Sequence, residues 1–178
     1  MLQDLMRVNK ARRSGRVRRF HTTETIKVED VAQHSFNIQN LLLIMLGTEE
    51  VSRDLLLAAL THDMGEIETG DIPANVKKAL PPAVRAEVEA LEKAAVFSIH
   101  PKLAVRLSQD EVRYLKIADR LDGLLKCSDE VRLGNTTITQ IGERYCDYLS
   151  TLLEDEPSDE IHSFVVEAIY EFRKGYLK

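Results

Sequence analysis

The chain has 178 residues, enough for one domain of ordinary size and too few for two comfortable ones. Apolar residues make up 44% and charged residues 30%, the balance of a globular protein and not of a disordered or membrane one. A net charge of −5 argues against a general nucleic-acid coat protein, and no stable nucleic-acid complex is expected.

The N-terminal MLQDLMRVNK carries no apolar leader core, so no secretory signal is expected. Lys10, Arg12, Arg13, Arg16, Arg18 and Arg19 then place six cations in ten residues. Such a run serves as a solvated face or as a contact for phosphate or nucleic acid, and composition alone does not choose between them. From Asp30 onward Val31, His34, Ile38, Leu41, Leu42 and Met45 recur every three or four residues, predicting a helix that Gly47 stops. Within it, Leu41–Leu46 is an apolar run of six residues, which no other run exceeds, and too short to span a bilayer. Leu55, Leu56, Ala59, Leu60 and Asp63 form the next stripe, and Gly70-Asp71 and Pro73 interrupt the pattern beyond it. After Pro81-Pro82 the residues Val84, Val88, Leu91 and Ala95 predict another helix, ended by Pro101. Ser108 and Glu111 fit a capping box ahead of Val112, Leu115, Asp119, Asp122 and Leu125, a helix closed by Gly134-Asn135. Beyond the polar break Glu154–Ser158, Ile161, Phe164, Val165, Ala168, Ile169 and Phe172 mark the last helix. No repeat or domain-dividing linker is visible, so residues 1–178 are expected to form a single compact all-α domain of six or seven helices. Cys127 and Cys146 are too few for a disulfide framework and wrongly spaced for a thiolate metal site, so two reduced thiols in a cytoplasmic protein are expected.

Three of these apolar faces carry polar residues of metal-ligand type: His34, the pair His62-Asp63, and Asp119. A charge on a buried face needs a partner, and a divalent cation is a partner all four could share. Two imidazole nitrogens and two carboxylate oxygens form a compact mixed set that leaves room for water or substrate. Such a set accepts Mn, Co, Fe, Zn or Mg, and affinity order does not select among them.

The segments VAQHS (Val31–Ser35), THDMGE (Thr61–Glu66) and KIADRLDG (Lys116–Gly123) resemble the HD-domain metal-dependent phosphohydrolases, whose metal signature is the order H…HD…D. Within that family, HDMGEIETGDIPANVKK is similar to a small subfamily of bacterial 5′-deoxyribonucleotidases and phage dATP triphosphohydrolases. The resemblance implies an HD-domain helical bundle in which His34, His62, Asp63 and Asp119 bind the metal. It also implies catalytic roles for Glu66 and Asp71, a deoxynucleotide substrate and a homo-oligomer, in a bacterial host cytoplasm if the chain is phage-encoded.

Those roles make chemical sense. Hydrolysis at phosphorus needs an activated water, neutralised phosphoryl oxygens and help for the leaving oxygen. Glu66, one turn from His62 on a continuing helix, would accept or orient the water's proton. Asp71 would be presented from the loop before Pro73. Lys77 matches the subfamily's lysine after the acidic loop, while Lys78 points elsewhere. Arg18, Arg19 and Phe20 resemble its base-and-phosphate contact segment; Arg18 is the preferred phosphate ligand, although sequence does not show which arginine faces the pocket. His21, His100 and His162 read as surface or helix-end residues, and Asp122 either supports the site or forms an ion pair. The leading expectation is a dATP triphosphohydrolase releasing deoxyadenosine and triphosphate, as in phages that replace adenine by diaminopurine. The alternative is a 5′-deoxyribonucleotidase acting on dNMPs, and a non-catalytic nucleotide or nucleic-acid binding module is the third.

Overall fold

The structure, a computed structural model, describes residues 1–154, 156 and 158–176. Among them the chain forms nine α-helices and no strand, apart from one isolated antiparallel bridge between Arg18 and Asp30. The long helices are α1 (Leu2–Ala11), α2 (Val31–Leu46), α3 (Arg53–Thr61), α6 (Pro82–Ile99), α7 (Gln109–Arg132), α8 (Thr139–Leu153) and α9 (Asp159–Tyr176). Two short ones, α4 (Glu66–Thr69) and α5 (Ala74–Ala79), lie between α3 and α6. The all-α expectation holds, and the seven longer helices match the number expected. Within the break expected at Glu154–Ser158, positions 155 and 157 lie outside the described residues. None of the described helices is long and apolar enough to cross a membrane.

The 24-residue α7 is the axis of the bundle and packs against α2, α3, α8 and α9. Its Ile117, Leu121, Leu124 and Val131 meet Ile38 and Leu42 of α2, Leu55 of α3, Leu149 of α8 and Phe172 of α9 in one core. Fully burying such a side chain is worth about 1.5–3 kcal/mol, and this face-to-face burial fixes the helices that carry the polar cluster. The signals read from sequence set the helix ends: Asp30 caps α2 by accepting from the Gln33 amide, and Gly47 leaves it at φ +80°. Ser108 and Glu111 form the reciprocal capping box of α7.

Four departures have physical reasons. The α3 stripe does not run on to Asp63: the helix stops at Thr61, Leu60 is exposed, and bonds from Met64 to Thr61 and from Glu66 to Asp63 tighten the chain into a turn. That turn is pulled against α6, where a Cβ on Gly65 would lie 2.5 Å from the backbone of Glu92. The α8 helix escapes the periodicity because two of its four buried residues, Gly142 and Cys146, carry little apolar signal beside Leu149 and Leu153. On α6 only Ala95 and Ile99 are buried, leaving Val84 and Leu91 exposed. The α1 helix buries nothing and is held by polar contacts, Lys10 with Ser98 and Glu68 among them.

Between α1 and α2 the chain forms an irregular strap. Its neck is closed by Val31 N–H donating to Val17 O and Arg19 N–H donating to Glu29 O, both at 3.0 Å. Its far end is held by backbone, since Ile26 and Val28 stand 58% and 60% exposed. There the Glu130 carboxylate accepts from the amides of Ile26 (2.6 Å) and Lys27 (2.9 Å), from Lys126 Nζ (2.7 Å) and from Asn135 Nδ2 (2.9 Å). Burial opposes ionisation of Glu130, but these donors outweigh it and hold the carboxyl down at about 2.

A carboxyl depressed in the folded state adds stability above its ordinary value near 4.5, and that stability is lost as the pH falls toward 2. Glu130→Gln is therefore expected to be less stable than the parent at neutral pH, with the gap narrowing between about pH 4.5 and 2. Chemical denaturation at pH 7 and pH 3 measures it; a gap of equal size at both would contradict the account.

Candidate active site

The polar residues of α2, α3, α4 and α7 converge at one end of the core. His34, fully buried on α2, donates from Nδ1 to Asp122 Oδ2 at 2.6 Å. His62, at the C-terminal end of α3, donates from Nδ1 to the Ala59 carbonyl at 2.9 Å. Each bond orients its ring and turns the other nitrogen, Nε2, into the space between the rings, where the two Nε2 atoms are 3.3 Å apart. Asp119 Oδ1 approaches His34 Nε2 at 3.3 Å, and Asp63 Oδ2 lies 3.5 Å and 3.3 Å from the two imidazoles. Ligand atoms of His34, His62 and Asp119 lie within 4.8 Å of one another. The donor chemistry fits a divalent cation: both imidazoles are oriented by a second bond, and two carboxylates supply negative charge.

Charge sets the protonation states here. Burial disfavours the ionised Asp63, but His62 and the guanidinium of Arg19 overcome it and hold that carboxyl far below its usual range. Asp119 is likewise lowered against burial by its bond to His34 and the charge of Arg120. Glu66 behaves oppositely. Burial, with the charges of Asp63 and Asp71 close by, pushes its carboxyl up to about 9, and its buried Oε2 has no hydrogen-bond partner. A buried unpartnered oxygen beside a cluster of metal-ligand atoms is a position for water or a cation. Asp71 is also raised, first by burial, and faces His21 Nδ1 at 3.7 Å.

The structure thus brings His34, His62, Asp63, Glu66, Asp71 and Asp119 together, though Glu66 opens the separate α4 and does not continue the helix of His62 as the sequence suggested. The two arginines part company. Arg19 turns inward, donating from Nη1 to Asp63 Oδ2 and from Nε to Glu29 Oε1, both at 3.0 Å, whereas Arg18, the preferred phosphate ligand from sequence, is exposed. Residues alternate sides along the short extended bridge, so only one of two neighbours can face the site. Phe20 packs against the core edge, its ring 6.4 Å from that of Tyr145, with a backbone φ of +54°. Lys77 pairs with both oxygens of Glu92 at 3.1 and 2.9 Å. The rest of the basic run is partly spent inside the molecule too, Lys10 and Arg13 on Glu68 and Arg13 on the Ile67 carbonyl, which steadies α4.

Sequence reading missed Glu29, Glu92 and Tyr145. Glu29 is buried and joins Arg19 to the His34–Asp122 side of the cluster. Tyr145 reaches the site because Gly123 has no side chain; a Cβ there would lie 2.4 Å from the tyrosine ring. The glycine in KIADRLDG was the available signal, but its partner on α8 lies 22 residues away. Beside His62 a cleft of about 420 Å³ opens between α3 and α6, lined by Glu92, Lys93, Phe97 and Leu103 among others.

This all-α frame and the order H…HD…D along it are those of the HD-domain phosphohydrolases that the sequence resembles. The YfbR-like family model, described as 5′-deoxynucleotidase YfbR-like, matches residues 8–172, and the chain belongs to that family. A 5′-deoxynucleotidase of Photorhabdus laumondii is 27% identical over 169 residues, covering 84% of this chain and 83% of that protein. Among solved structures, the cyanophage S-2L HD phosphohydrolase DatZ, bound to dA and one catalytic zinc ion, has a TM-score of 0.65 at 16% identity and covers 93% of this chain and 94% of its own. A protein of Pyrococcus horikoshii reaches 0.72 at 18% identity, covering 94% and 99%.

Gly65→Ala is expected to cost about 1–3 kcal/mol, because the atom the new methyl meets is backbone of α6 and cannot rotate away. The same displacement moves Glu66, so activity falls with stability. A thermal melt within a degree of the parent would show that α4 and α6 separate freely.

Proposed function

We propose that this chain is a divalent-metal-dependent 5′-deoxynucleotidase that converts deoxynucleoside monophosphates to nucleoside and phosphate. The observation that carries the reading is the convergence of two imidazoles, each oriented by a bond at Nδ1, with Asp63 and Asp119, beside Glu66 and its unpartnered Oε2. Membership of the YfbR-like family and the likeness to the curated 5′-deoxynucleotidases support the substrate class.

In this reading His34, His62, Asp63 and Asp119 hold the cation. When bound, it neutralises phosphoryl oxygens and makes water a competent nucleophile near neutral pH. The remaining steps belong to the chain's own groups. Arg19, fixed by Glu29 and Asp63, presents a guanidinium that stays protonated and attracts the phosphate. Glu66 and Asp71, both raised by burial, are the proton-transfer pair. A P–O bond to water forms, the bond from phosphorus to the 5′ oxygen breaks, and the leaving oxygen takes up a proton as the water loses one.

A dATP triphosphohydrolase breaks the same bond and is the second reading. The fold-level similarity to DatZ bound to dA favours it. Against it stands the pairing of Lys77 with Glu92, which occupies the lysine expected from the sequence at the substrate phosphates.

Glu66→Ala is expected to keep its metal while losing roughly 10²–10⁴-fold in rate, the range for a removed acid–base group. Asp119→Ala is expected to lose metal and activity together. Metal content falling in step with rate in Glu66→Ala would make Glu66 a ligand and overturn its role. A product assay over dNMPs and dNTPs separates the two substrates. Phosphate from dAMP with a higher kcat/KM than for dATP is expected; triphosphate from dATP with negligible dAMP cleavage would establish the second reading instead.

A further inference from the structure

The strap of residues 17–31 carries Arg19 and Phe20 to the site, yet nothing apolar holds its far end. Ile26 and Val28 point outward. Phe20 sits at φ +54°, a region that costs a non-glycine residue energy and persists only where its surroundings over-determine it. What holds the strap is polar and buried. Glu130 takes the Ile26 and Lys27 amides, Lys126 donates to the Lys27 carbonyl, and Asn135 donates to the Glu24 carbonyl at 2.8 Å. Glu130 is fully buried and Lys126 and Asn135 nearly so, all three in the segment where α7 ends. Their side-chain hydrogen bonds go to the strap, to Thr137 and to one another, and none goes to a proposed ligand or proton-transfer residue. At the neck, Arg19 is tied to Glu29 through both backbone and side chain. A strap fixed at the tip and the neck has little freedom to swing, and the guanidinium at its neck is held in one place.

We propose that Glu130, Lys126 and Asn135 are positioning residues for substrate binding, acting through the strap to hold Arg19 where the nucleotide phosphate docks. The inference rests on the nucleotidase reading. It separates two tasks in one molecule: α2, the end of α3 with the turn that follows it, and α7 set the metal ligands, while the end of α7 sets the phosphate contact. Loosening the tip then raises KM for nucleotide without moving kcat or metal affinity, whereas a merely structural role would move all three.

The test uses Asn135→Ala, which removes the donor to Glu24 and to Glu130 but leaves the Glu130–Lys126 pair, with Glu130→Gln as the second variant should the first fold poorly. Each is made in the parent and in an Arg19→Ala background. KM and kcat are measured with dAMP, Co²⁺ affinity by competition with a chromophoric chelator, and amide exchange by NMR. The expected result is a KM raised about tenfold, the loss of one contact of ordinary strength, with kcat and Co²⁺ Kd within twofold. The Arg19, Ile26 and Lys27 amides exchange faster while those of α2 and α8 keep their protection. In the Arg19→Ala background the KM penalty disappears, because the residue through which the anchor acts is gone. An unchanged KM, a Co²⁺ Kd rising in step, or the same penalty without Arg19 would overturn the proposal. If the parent hydrolyses neither dAMP nor dATP, the nucleotidase reading fails on its own. The exchange data then judge the anchor, and an Arg19 amide as protected in Asn135→Ala as in the parent would overturn it.

Discussion

Negative charge gathered in a poorly solvated place is the constraint on which this structure turns. Glu29, Asp63, Glu66, Asp71, Asp119 and Asp122 crowd around two imidazoles at one end of a helical core. Unpaired, such charges would be driven to protonate or would pull the helices apart. The fold answers with Arg19, which contacts Asp63 and Glu29 at once, and with two histidines whose second nitrogens are already committed. Glu66 and Asp71 remain, with carboxyls pushed upward mainly by burial. The four proposed metal ligands face one another across a gap of 3.3–3.5 Å between nearest atoms, and a divalent cation there would relieve the excess that Arg19 alone does not.

The rest of the molecule exists to keep that arrangement in place. The α7 helix buries an apolar face on α2, α3, α8 and α9, and on its site-facing side delivers Asp119 and Asp122 three residues apart. Asp119 reaches Nε2 of His34 and Asp122 reaches Nδ1, so one helix both faces the ring and orients it. Gly65 and Gly123 allow the two closest approaches, α4 against α6 and Tyr145 against α7. The basic run, which from sequence served either as a solvated face or as a phosphate or nucleic-acid contact, is drawn in part onto acids of the same chain, through Lys10, Arg13 and Arg19.

What was legible in the sequence was whatever a helix writes locally. The α2 stripe, its Asp30 cap and Gly47 stop, and the capping box at Ser108 depend on spacing of four residues or fewer, and the structure reproduces them. The meeting of His34, His62, Asp63 and Asp119 was legible for a different reason: polar residues on otherwise buried faces demand a common partner. What failed was set by distant contacts. The break between Thr61 and Glu66 follows from the approach of α6, nearly thirty residues on, and α8 hid because a glycine and a cysteine do part of its packing. The choice between Arg18 and Arg19 hung on an antiparallel bridge to Asp30, which no local pattern announces.

The central claim is that His34, His62, Asp63 and Asp119 enclose one divalent cation, and diffraction tests it most directly. Crystals grown with Co²⁺ and measured at the cobalt edge are expected to show one anomalous peak about 2.0–2.2 Å from Nε2 of both histidines and from a carboxylate oxygen of each aspartate. Full-occupancy cobalt bound elsewhere, or no peak between the two imidazoles at saturating metal, would contradict it.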